Sequence, residues 1–137
     1  MIELAAASLA RTGRLRLRVT GTSMLPAIRP GDVLRVERCD AASLSPGEVV
    51  LFQRGERLFA HRAVRRGHAL ALRGDTLDRD DAALDEARVL GKVVAIERRG
   101  REIAPGASRS LLQRSAARLF AASPLAARLF DRFEALR

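Results

Sequence analysis

Arg14-Leu15-Arg16-Leu17-Arg18-Val19 alternates strictly between a charged and an apolar residue. Successive side chains of a strand point to opposite faces, so this stretch is a half-buried strand with its arginines in water. Upstream, residues 2–11 fit a short helix. Downstream, strands are expected at 32–37, 48–53, 57–64, 69–73 and 89–97. Turn signals separate them at Pro30-Gly31, Pro46-Gly47, Arg54-Gly55 and Arg66-Gly67, and a last hairpin turns at Arg99-Gly100 and returns through 101–103. Short strands at this spacing predict a mainly β protein, a compact curled β body and not a βαβ sheet.

With 137 residues the chain is long enough for one core, which would bury roughly two-thirds of the surface of the unfolded form. Apolar residues make up 47% and aromatic ones 4%, with no Trp or Tyr, so the core must be aliphatic. The net charge of +9 comes from arginine, because Lys92 is the sole lysine among 25 basic residues. These arginines are scattered, without a basic block or interleaved aromatics, and nucleic acid is not expected as a partner. Cys39 stands alone, which excludes an intramolecular disulfide and a cysteine-rich metal site. Residues 1–12 lack the charged start and long apolar run of an export signal, and no stretch reaches about eighteen apolar residues. The expected location is the cytoplasm.

Pro105-Gly106 marks the expected boundary between the β body, 1–105, and a helical tail, 106–137. Leu111, Leu112, Ser115, Ala116, Leu119 and Phe120 fall on one helical face. Ser123-Pro124 then reads as the start of a second helix with Leu125, Leu129, Phe130, Phe133 and Leu136 on its apolar stripe. Residues 108–137 carry six arginines against Asp131 and Glu134, a net +4. Two readings of this C-terminal pair of amphipathic helices stay open: contact with an anionic membrane surface, or packing on the β body or on a second copy.

Gly21-Thr22-Ser23-Met24-Leu25-Pro26, followed by Arg29-Pro30-Gly31-Asp32, resembles the nucleophile motif of the signal-peptidase and LexA-type serine peptidases. Leu58-Phe59-Ala60-His61-Arg62-Ala63-Val64 resembles the segment that supplies their general base. Bacterial members usually carry lysine there, whereas archaeal and endoplasmic-reticulum signal peptidases have a His-Arg-Val segment, the closer match. Gly74-Asp75 with the later pair Asp80-Asp81 resembles the acidic segment, and residues 89–94 resemble the closing strand. The resemblance covers residues 20–97 in the family's order. It implies Ser23 as nucleophile, His61 as base and Asp81 as the acid that orients His61, with Asp80 as rival. Asp75, Gly21 and Met24 are implied as site support. Gly21 stands where bacterial signal peptidases have a serine that assists the oxyanion hole. His68, in a turn, is expected at the surface.

Taken as a member of that group, the chain is expected to be a serine endopeptidase without cofactor or metal. Its substrate, a peptide or protein from which a leader or signal-like segment is cut, would bind as an extended strand. The alternative is a non-catalytic peptide-binding or regulatory module on the same fold.

Overall fold

The computed structural model describes residues 2–77, 79–80, 82–83 and 88–106. The expected tail helices and the boundary before them lie outside the described residues, apart from the start of that boundary at Pro105-Gly106. Helix α1 (Ile2–Thr12) precedes strands β1 (Arg14–Arg18), β2 (Val33–Arg38), β3 (Val49–Arg54), β4 (Arg57–Arg66), β5 (Ala69–Arg73), β6 (Ala82–Ala83), β7 (Arg88–Arg98) and β8 (Arg101–Ile103). The expected strands all form, with ends displaced by up to two residues. The two-residue β6, inside the acidic stretch, has no hydrophobic alternation that would have announced it.

All pairings are antiparallel, in the order β1-β2-β7-β3-β4-β5-β6, with β8 beside β7. The long strand β7 is the centre of the sheet, and its register slips twice. Arg35 and Val36 face Ala95 and Val93, and Leu51 and Phe52 face Gly91 and Val89. Val94 and Leu90 are the extra residues, and such bulges bend a strand and add twist. Between them, Gly91 lets the β2 backbone come close, since a Cβ there would stand 2.4 Å from the Glu37 carbonyl oxygen.

β3 is the wall between two aliphatic clusters. Val49 and Leu51 face Leu34, Val36 and Ile96, while Val50 and Phe52 face Ala63 and Leu72. All four β3 residues are fully buried, which explains why this segment is a continuous apolar run without alternation. Removing a side chain such as Leu51 to Ala would cost about 2–5 kcal/mol. α1 adds Leu9 to the first cluster and ends at Gly13, whose positive φ of 72° lets its N–H return to the Leu9 carbonyl at 2.9 Å. At the far hairpin, Arg99 and Gly100 both take positive φ, the primed turn that suits strand twist.

Candidate active site

Between β1 and β2 the chain makes a loop pinched at its base by two backbone hydrogen bonds. Val19 N–H donates to the Asp32 carbonyl and Gly31 N–H to the Val19 carbonyl, each at 2.8 Å. The loop is anchored by its own apolar residues, since Met24, Leu25 and Ile28 are buried and Ile28 N–H bonds the Met24 carbonyl at 2.9 Å. Asp32 braces the return. Its carboxylate accepts Arg29 N–H at 2.8 Å and two bonds from Arg98, at 2.9 and 2.7 Å. Ser23 sits at the head of this braced loop.

His61 comes from β4, on the face shared with Phe59 and Ala63. It is 2% exposed, with its ring against Phe52 and Phe59 at centroid distances of 5.7 and 5.6 Å. Ser23 Oγ lies 2.8 Å from His61 Nε2. That distance is within hydrogen-bond reach, the geometry a serine nucleophile and its base require.

The loop after β5 holds the serine from the other side. Thr76 donates to the Ser23 carbonyl from its N–H at 2.9 Å and from its hydroxyl at 3.1 Å. Asp75 N–H points at Met24 Sδ at 3.4 Å, and the Asp75 carboxylate takes both arms of Arg62. Gly74 allows the approach, because a Cβ there would lie 2.9 Å from the Ser23 carbonyl oxygen. Gly21 lines the cleft in front of the pair, and a Cβ on it would meet nothing within 4 Å. This cleft has a volume of about 450 Å³ and is bounded by Leu17, Val19 and Thr22 on one wall and Leu58 and Ala60 on the other.

Of the residues singled out in the sequence, Ser23 and His61 meet, and Asp75, Met24 and Gly21 surround them. Asp81 lies outside the described residues. Asp80 is engaged by Arg66, which holds its two carboxylate oxygens at 2.7 and 2.8 Å. Lys92 Nζ contacts Glu48 at 3.4 Å. His68 is exposed. Burial raises the pKa of the Cys39 thiol, against the opposing pull of Lys92, so at neutral pH it is an uncharged group. Among the described residues no three His, Cys, Asp or Glu side chains gather to hold a metal ion, and no helix is long and apolar enough to cross a membrane.

Four residues of this arrangement were not assigned a role from sequence: Arg62, Gly74, Thr76 and Arg98. Arg62 carried the one available signal, a charge at a strand position flanked by buried neighbours.

A family model described as Peptidase S24-like matches residues 2–94, from α1 into β7, a span that includes Ser23, His61 and Asp75. The chain belongs to the Peptidase S24-like family. Membership puts this Peptidase S24-like protein in the LexA/signal peptidase I superfamily and points to a serine peptidase or hydrolase in general. A comparison with curated proteins gives no match.

Proposed function

We propose that this Peptidase S24-like protein is a serine endopeptidase of the histidine type, which cuts a leader or signal-like segment from a peptide or protein. The observation that carries the reading is the 2.8 Å approach of Ser23 Oγ to His61 Nε2 beside an open cleft. Ser23 Oγ attacks the scissile carbonyl carbon as its proton passes to Nε2. The resulting oxyanion is met by backbone N–H groups at the head of the loop, that of Ser23 among them. Collapse breaks the C–N bond, and the amine leaves with the proton from His61. Water, deprotonated by the same ring, then hydrolyses the acyl-enzyme. Asp81 is the proposed orienting acid, the engagement of Asp80 by Arg66 being the reason for preferring it.

Binding of the substrate as an added strand has support in the pairing of β4. Leu58 to His61 pair with β3 on one side, while β5 pairs with β4 only from Arg62 onward. Among the described residues no strand pairs with the other edge of 58–60, the edge to which an extended substrate would add.

A serine-reactive probe tests the proposal. Wild-type protein should be labelled on Ser23, as located by peptide mass spectrometry; Ser23→Ala should lose the label at an unchanged thermal transition, and His61→Ala should lose it while still unfolding cooperatively, at a lower midpoint because its buried ring leaves a cavity. Labelling that survives both substitutions would place the nucleophile elsewhere.

A further inference from the structure

Three large apolar side chains stand exposed among the described residues, Leu4, Leu77 and Ile103, and of these Leu77 lines the cleft that holds Ser23 and His61. Its place there is set by the end of β5. Arg73, the last residue of that strand, pairs with Arg62, the residue after His61, so the chain leaves the sheet just past the histidine. The turn that follows is closed by Leu77 N–H to the Gly74 carbonyl at 3.0 Å, and Arg73 Nε donates to the Leu77 carbonyl at 2.8 Å. Thr76, one residue earlier, holds the Ser23 carbonyl. The Leu77 side chain also reaches toward the serine. A Cβ on Gly74 would lie 2.9 Å from Leu77 Cδ1 and 2.9 Å from the Ser23 carbonyl oxygen, and two atoms so close to one point are at most twice that distance apart. A methyl group of Leu77 is thus held near the backbone of Ser23.

We propose that Leu77 is a specificity-determining residue, which favours an apolar side chain in the substrate residue just across the scissile bond from the strand-bound segment. The side of the bond follows from the walls of the cleft. Residues 17–22 lead up to Ser23 and residues 57–60 lead up to His61, so a segment added along 58–60 fills the cleft as far as that pair. Substrate beyond the bond leaves these walls, and Leu77 comes from the loop on that side. The chemistry follows from burial. An exposed leucine methyl gains when an apolar side chain excludes water from it, and it gains nothing from a charged group, which must stay solvated. Because the backbone of Leu77 is tied at both its N–H and its carbonyl, little ordering is needed when that contact forms. This proposal deepens the peptidase reading and rests on Ser23 and His61 as the place of cleavage.

The test incubates full-length protein with an equimolar library of peptides of about twelve residues, long enough to span the cleft as a strand, and reads the cut bonds by mass spectrometry. At one of the two positions next to the bond, Leu, Ile, Val or Met should be favoured over Asp, Glu, Lys or Arg by about three- to tenfold. That is less than an enclosed apolar pocket gives, because Leu77 is open to water. Leu77→Ala should erase the preference at that position and leave those along the strand-bound segment in place, while Leu77→Met, of similar volume, should keep it. Leu77→Glu should move it toward Lys and Arg. Ratios between peptides are the readout, since a general disturbance of the loop would slow the cutting of all of them alike. An unaltered preference in Leu77→Ala, or a loss spread evenly over every position, would overturn the proposal and leave the catalytic reading intact. No cleavage of any peptide by wild-type protein would defeat the catalytic reading, and the proposal would fall with it.

Discussion

Arg62 holds both carboxylate oxygens of Asp75 at 3.0 Å, with both side chains buried. The same guanidinium donates at 2.7 Å to the carbonyls of Gly47 and Gly106. Its neighbour on β4 is His61, and the neighbour of Asp75 is Thr76, which grips the Ser23 carbonyl. The strand bearing the imidazole and the loop bearing the serine are thus joined twice, once through the Ser23–His61 contact and once through a buried ion pair.

Breaking that pair from one side leaves a buried charge without its counter-ion. Asp75→Ala should lower stability by about 3–5 kcal/mol in urea titrations, whereas Arg62→Leu combined with Asp75→Leu should recover much of the loss. A shift of under about 1 kcal/mol for Asp75→Ala would mean that the pair behaves like a surface ion pair.

Gly74→Ala addresses the contact between the loop after β5 and Ser23. The added Cβ would sit 2.9 Å from the Ser23 carbonyl oxygen and 2.9 Å from Leu77 Cδ1, and the former is backbone that cannot rotate away. Moving Ser23 by even a fraction of an ångström spoils its approach to His61. The expected result is a folded protein whose kcat falls by about 10²-fold. Unchanged kcat would show that the loop yields instead of the serine.

Gly21 presents the opposite case, with open space where a side chain would begin. Gly21→Ser should leave the denaturation midpoint within about 0.5 kcal/mol of wild type. If its hydroxyl reaches the oxyanion, kcat should rise by about tenfold, a part of what a well-placed donor supplies. A fall in kcat at unchanged stability would argue that the added group obstructs the substrate.

The strands were legible because the turns that separate them carry glycine or proline, and because 14–19 alternates without a fault. The two bulges were not legible, since a bulge leaves no mark on composition: Leu90 and Val94 look like ordinary strand residues until their partners across β3 and β2 are known. Ser23 and His61 were found through their motif surroundings. The support beneath them was not, because the Arg62–Asp75 and Arg98–Asp32 pairs join residues 13 and 66 positions apart, and apart from the apolar neighbours of Arg62 nothing local distinguishes these two from the chain's many other arginines.

The identity of the base can be decided by two substitutions and a pH profile. His61 and Lys92 both pair with Val50, on β4 and β7 at opposite edges of β3, which puts their backbones about 10 Å apart. The Lys92 ammonium lies 3.4 Å from Glu48 in a partly exposed pair, whose loss should cost no more than about 1 kcal/mol. Lys92→Met should therefore leave cleavage nearly intact, while His61→Ala should abolish it at unchanged substrate binding. Imidazole accepts the serine proton only when it is neutral, so kcat/KM should fall on acidification as the ring is protonated and level off above that transition. A lysine base would instead give a rate that climbs toward its own ordinary range, near ~10.4, or levels off lower only where burial depresses that value. Activity that survives His61→Ala, disappears with Lys92→Met and follows the alkaline profile would overturn the histidine assignment.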